Sequence, residues 1–189
     1  MKHIEVEVKY SLPDPASLIQ RLAELDAVPL GEDRQVDTYF NAPHRDFLAD
    51  EIVSEWLRLR AETGDHAAGR ASINFKRWLP LGAAEATHCD EFESGITDSE
   101  AVRRLLDALG FTQMITVDKI RRQWRLGDVI VAMDIVAGLG SFMEVEYAGN
   151  AQSVDDAARA VETSVSEIDI KLGDRDRRGY PYLLLNRQQ

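Results

Sequence analysis

Apolar and charged residues alternate one by one through much of this chain, beginning a few residues from its first position. In Glu5-Val-Glu-Val-Lys9 the side chains of Glu5, Glu7 and Lys9 share one side of an extended strand. Ile4, Val6, Val8 and Tyr10 share the other, because successive side chains of a strand point to opposite faces. The same period of two predicts strands near residues 35–40, 55–61, 71–78, 87–94, 115–126, 128–136 and 142–148. Turn residues at 64–69, 80–84 and 127–128 separate several of them, and Gly127-Asp128 is short enough for a tight hairpin.

A period near 3.6 takes over in three places. Residues 14–26 predict a helix with Asp14 as cap, Pro15 in the first turn and Leu18, Ile19, Leu22 and Leu25 as one stripe. Residues 98–109 predict a second, with Thr97 and Glu100 at capping-box spacing, Val102, Leu105, Leu106 and Leu109 as the stripe and Gly110 as the stop. A third follows Ser153, using Val154, Ala157, Ala158, Val161 and Val165. No repeat, low-complexity tract or linker interrupts this order, so residues 1–189 read as one strand-dominated antiparallel α+β domain with helices outside.

The charges recur on period-two positions. Arg58 and Arg60 share a face, as do Lys119 and Arg121, Glu91 and Glu93, and Glu144 and Glu146. Lys76 lies in Ile-Asn-Phe-Lys, and Asp134 interrupts an otherwise apolar strand. With Glu5, Glu7 and Lys9 the set holds seven acids and six bases. If the apolar faces pack beneath helices, a curved or closed antiparallel sheet turns the ionic faces into a polar tunnel. Charges there are partly desolvated, and they must balance one another or hold a ligand.

Composition adds limits. The chain is 44% hydrophobic and 29% charged, ordinary for a soluble globular domain. It has no run of eighteen apolar residues and no hydrophobic signal core, so membrane spanning and export are not expected and a cytoplasmic location is. A lone cysteine, Cys89, cannot form an intrachain disulfide. A net charge of -11 argues against charge-driven binding to nucleic acid or acidic membranes, yet it leaves room for an anionic ligand in a basic cleft.

Carboxylates are natural ligands for Mg²⁺ or Mn²⁺, hard cations usually shared with substrate phosphates. Arg and Lys on facing strands suit the remaining phosphate oxygens, the first as a planar fork and the second as a point charge. Acids and bases around one cavity therefore point to a metal-chelated polyphosphate. The competing reading is a set of internal salt bridges that neutralise one another, which is a poor way to gain stability.

The ordered series Glu5-x-Glu7-x-Lys9, Leu57-Arg-Leu-Arg60, Lys76, Glu91-x-Glu93, Lys119-x-Arg121, Asp134 and Glu144-x-Glu146 resembles the CYTH superfamily, the triphosphate tunnel metalloenzymes, over nearly the whole chain. The resemblance implies an eight-stranded antiparallel closed β-barrel with a polar lumen and helices packed outside. It implies a divalent-metal-dependent enzyme on ATP, thiamine triphosphate or tripolyphosphate, acting as a class IV adenylyl cyclase, a thiamine triphosphatase or an inorganic triphosphatase. Gln35-Val-Asp-Thr-Tyr-Phe40, the stretch from Asp134 to Glu146, and Arg178-Gly-Tyr180-x-x-Leu-Leu look most like the cyclase branch. By the same resemblance Glu5, Glu7, Asp134, Glu144 and Glu146 hold metal. Lys9, Arg58, Arg60, Lys76, Lys119 and Arg121 clasp phosphates and carry the catalysis, with Glu91 and Glu93 assisting the substrate or pairing with the bases. A module that binds polyphosphate without turnover is the alternative from another class, and the oligomeric state stays open, a homodimer included.

Other features carry less. His88, Cys89, Asp90 and Glu91 alternate between faces and have no second Cys or His pair, so zinc is not expected. His3, His44 and His66 are isolated, and Trp56, Trp78 and Trp124 read as core or rim packing. Arg175, Arg177 and Arg178, near Asp174 and Asp176, read as a solvated loop, with closure over a tunnel mouth as the alternative.

Overall fold

The computed structural model describes residues 3–50, 53–65, 69–81 and 88–187, without the side chains of residues 3–5 and 88. Ten strands form one antiparallel sheet: β1 (His3–Glu5), β2 (Glu7–Ser11), β3 (Val28–Asn41), β4 (Glu55–Gly64), β5 (Arg70–Leu79), β6 (His88–Ile96), β7 (Thr112–Leu126), β8 (Val129–Val136), β9 (Gly140–Tyr147) and β10 (Arg175–Asp176). Four helices accompany them, these strands and helices being counted among the described residues: α1 (Pro15–Glu24), α2 (Ser99–Ala108), α3 (Val154–Ile168) and α4 (Tyr180–Arg187). No helix among the described residues is long and apolar enough to cross a membrane.

The strand order is β1-β6-β5-β4-β3-β7-β8-β9-β2-β10. Its two ends belong to one segment, since β1 pairs with β6 and β2 pairs with β9 while only Val6 separates them. Counting that segment once and setting the two-residue β10 aside, eight strands surround the lumen, curled into a barrel whose closure is partial. Where β6 no longer accompanies the first segment, β10 takes the vacant side, pairing Arg175 with Tyr10 and Asp176 with Lys9. Gly31 absorbs a bulge in β3 with a φ of 110°, a left-handed conformation that suits glycine.

Apolar side chains on the outer face meet the helices in two layers. Val6, Val8, Met133, Met143 and Val145 pack with Leu18 and Leu22 of α1 and Ala157, Val161 and Ile168 of α3. Leu57 and Leu59 pack with Leu106 of α2 and with Phe40 and Phe47. Asp14 caps α1, its side chain accepting from the Ala16 and Ser17 amides. For α2 the expected Thr97 cap is corrected: Asp98, immediately before the helix, accepts from the Ala101 amide at 2.9 Å. Glu100 instead holds Arg103 and Arg104.

Helix α4 lies outside the three helices that the hydrophobic pattern predicts. It closes one end of the lumen, because Tyr39, Trp56, Val117, Val136 and Phe142, all on inward-facing positions, pack with Tyr180, Tyr182, Leu183 and Leu184.

Candidate active site

Inside the barrel lies a cavity of 560 Å³. Glu7, Lys9, Arg58, Arg60, Lys76, Glu91, Glu93, Lys119, Arg121, Glu144 and Glu146 all line it, so eleven of the thirteen alternating charges meet in one place. Glu5 is the twelfth, and its side chain lies outside the described residues. Asp134 does not line the cavity; it is fully buried behind the wall. Arg121 donates to it twice at 2.7 and 2.6 Å, Lys119 at 3.1 Å and the Tyr180 hydroxyl at 2.8 Å. Asp134 thus acts here as the anchor of a lysine and an arginine.

A second anchor escaped the charge alternation. Asp37, inward-facing on β3, accepts both bonds of the Arg60 fork at 2.6 and 2.7 Å and lies 3.6 Å from Arg58. Glu144 is the third, holding Arg121 at 2.8 Å and Lys9 at 3.3 Å. Gln35, Asn74, Glu62, Gln123 and Asp176 also line the cavity without having been singled out as charges. For Gln35, Glu62, Asn74 and Gln123 the signal was the parity of β3, β4, β5 and β7, which places them on the faces of Asp37, Arg60, Lys76 and Arg121, whereas Asp176 on β10 had none. Arg175, Arg177 and Arg178 are exposed, as a solvated loop would be, and they also line the cavity. Among the three tryptophans, Trp56 and Trp78 reach the cavity, whereas Trp124 belongs to the outer core.

Electrostatics follow from these contacts. Burial alone would raise Asp37, and Arg58 and Arg60 more than reverse that, leaving it well below the usual carboxylate range. Glu144 is likewise lowered, with Arg121 and Lys9 outweighing burial. Burial would lower the Lys9 ammonium, yet Glu144, Glu7 and Asp176 hold it above its ordinary value. Lys119 goes the other way. Burial and then Arg121 pull it down to about 7, and Asp134 offsets only part of this. Among the described residues, two buried polar atoms on the cavity wall have no hydrogen-bond partner, Nε of Arg58 and Oε1 of Gln35. A buried donor left unmatched is costly, and a bound oxyanion would satisfy it.

Cross-strand register decides where a cation fits. Lys9 faces Glu144, an attractive pair, but Glu7 faces Glu146 directly. Like charges in that position repel, and a dication between them turns the repulsion into binding. No group of three His, Cys, Asp or Glu side chains converges among the described residues. A Mg²⁺-type ion needs only one or two carboxylates alongside water and phosphate, so the Glu7 and Glu146 pair fits one.

Comparison with known proteins agrees with this geometry. The CYTH domain matches residues 3–180. Adenylate cyclase CyaB of Aeromonas hydrophila is 31% identical over 142 residues, 75% of this chain and 67% of that protein. The PH1819 protein of Pyrococcus horikoshii OT3 superposes with a TM-score of 0.82 at 26% identity, covering 97% of this chain and 99% of that one. HpAC1 from Hippeastrum, named a putative adenylyl cyclase with a dominant triphosphatase activity, superposes with a TM-score of 0.65 at 17% identity, covering 100% of this chain and 97% of that one.

Proposed function

Since the chain belongs to the CYTH domain family, we propose that it is a divalent-metal-dependent enzyme of the triphosphate tunnel class that converts ATP into cyclic AMP and pyrophosphate. The observation that carries this reading is the meeting of a facing carboxylate pair, Glu7 and Glu146, with six basic side chains in one cavity. Resemblance to CyaB supports cyclisation as the reaction.

In this reading Lys9, Arg58, Arg60, Lys76, Lys119 and Arg121 hold the phosphate oxygens, and the arginines supply planar forks. Asp37, Asp134 and Glu144 keep those cations in place, so little reorganisation is needed as charge develops on the leaving pyrophosphate. Mg²⁺ or Mn²⁺ would be held by Glu7 and Glu146 and would supply charge neutralisation and a lowered pKa for the attacking hydroxyl. Cyclisation then joins the ribose 3'-oxygen to the α-phosphorus, releases the hydroxyl proton and breaks the bond to the β-phosphate oxygen. Glu91 and Glu93 stay with their neighbours, Lys76 at 3.8 Å from the first and the Ser72 hydroxyl donating at 2.8 Å to the second.

Hydrolysis of the terminal phosphate is the second reading, favoured by the activity described for HpAC1. The same cradle serves both, and what differs is which phosphorus meets the nucleophile. Incubation of the purified protein with Mg²⁺ or Mn²⁺ and, separately, ATP, thiamine triphosphate and tripolyphosphate, followed by separation of products, tests both. Cyclic AMP with equimolar pyrophosphate is the expected result; phosphate alone transfers the assignment to hydrolysis, and no turnover of any triphosphate removes it.

A further inference from the structure

Two lysines from different strands converge on one aromatic ring. The Lys9 ammonium lies 4.4 Å from the centroid of Tyr180 and the Lys119 ammonium 5.1 Å from it. The ring is 5% exposed, and its hydroxyl donates to Asp134 at 2.8 Å. Phe142 packs edge-on at 5.0 Å. Tyr180 is thus fixed at its hydroxyl and by its contact with Phe142, with both ammonium groups close to its ring.

From this arrangement we infer that Tyr180 is a positioning residue for substrate, the seat that holds Lys9 and Lys119 together at the cavity wall. The inference rests on the triphosphate reading and adds a residue from the carboxy-terminal segment to the site. Lys119 pairs with Asp134, and Lys9 pairs with Glu144 while also feeling Glu7 and Asp176. A flexible four-carbon stem held at one point still samples several rotamers. A desolvated ring supplies a second point of attraction without using any of the three N–H donors that phosphate needs. It also gives the two side chains a common resting place at the cavity wall before phosphate arrives.

The position of Tyr180 is itself built. Asp176 accepts from the Gly179 amide at 2.9 Å, and Gly179 has a φ of 83°, the turn that aims Tyr180 inward at the start of α4. At the far end of the helix Arg187 donates to the Gly138 carbonyl. The strap is therefore held on both sides of the ring.

The test compares Tyr180→Phe, which keeps the ring, with Tyr180→Leu, which removes it. Tripolyphosphate affinity is measured by calorimetry, and lysine ε-methylene proton shifts by NMR. The leucine variant should lose about tenfold in affinity and the phenylalanine variant no more than about threefold. The ring-current displacement of two lysine signals should vanish in the first and persist in the second. Thermal melting confirms a folded protein, and if the leucine variant does not fold, Tyr180→Met makes the same comparison. Wild-type affinity retained in the non-aromatic variant, or lysine signals unmoved by loss of the ring, overturns the inference and leaves the functional reading intact. A wild-type protein that binds no tripolyphosphate and turns over no triphosphate overturns both.

Discussion

Asp37 and Arg60 face each other across β3 and β4 and share two hydrogen bonds, 2.6 and 2.7 Å long, with both side chains almost entirely out of water. Removing one partner of such a pair leaves the other charge buried and uncompensated. Asp37→Asn should therefore cost about 3 kcal/mol at neutral pH. Because the folded-state pKa of Asp37 is depressed, its contribution is full above the unfolded value near 3.9 and is lost as pH falls through the lower folded value. Urea unfolding from pH 7 to pH 3 should show the gap between wild type and variant narrowing below about pH 4. A constant gap contradicts the assignment.

The Glu7 and Glu146 pair gives a sharper expectation for metal. Glu146→Gln should lower metal affinity by at least about tenfold and remove most turnover at limiting Mg²⁺. Tripolyphosphate affinity without metal should hold or rise, since one acid opposite another has been neutralised. Metal titrations followed by activity, alongside calorimetry in chelator, separate the two effects. Equal losses in both would place Glu146 with the phosphate contacts instead.

Lys119 predicts a proton-linked signature. Its pKa in the folded protein is about 7. The unfolded value lies near 10.4, so the unfolded chain binds more protons between these limits and stability should climb with pH across that window. Lys119→Met should flatten the climb. Phosphate binding favours the ammonium, so calorimetry at pH 8 in buffers of different ionisation enthalpy should report net proton uptake in wild type and none in the variant. Absence of uptake in wild type would show that Lys119 is already charged before binding.

At the closed end of the barrel, Phe142 is 6% exposed and lies against Tyr180. Phe142→Ala should cost about 3 to 5 kcal/mol. It should also weaken tripolyphosphate binding, by loosening the ring on which Lys9 and Lys119 rest. Chemical denaturation and calorimetry measure the two losses; a stability loss with unchanged affinity uncouples Phe142 from the site.

Much of this was legible along the chain because a strand's period of two sorts side chains by face without further context. Val6 and Val8 against Glu7 and Lys9 is enough to separate outer core from lumen. Asp37 was less legible, since it sits in Val-Asp-Thr-Tyr, where its neighbours are not charged and alternation gives no warning. Helix α4 was hidden by length and by Pro181 at its second position: its eight residues span barely two turns, too few for a stripe to emerge. The pairing of β10 with β2 involves two residues and cannot be read from either. Asp134 shows the limit most plainly. Its place in the sequence marked it as inward, but only three-dimensional packing reveals that Arg121, Lys119 and Tyr180 surround it.

The aromatic stopper at one end of the barrel governs what can travel through it. With that end packed by Tyr180, Leu183 and Leu184, a linear guest has its readiest way in at the other end. A long polyphosphate would present only its terminus while the remainder stayed in solvent, and a fragment cut from the innermost end would have to leave by the way the guest came in. The outer part must depart first, or swing aside. The order in which the two products of a cleavage leave is thus set by the architecture of the barrel, whichever bond the chemistry breaks.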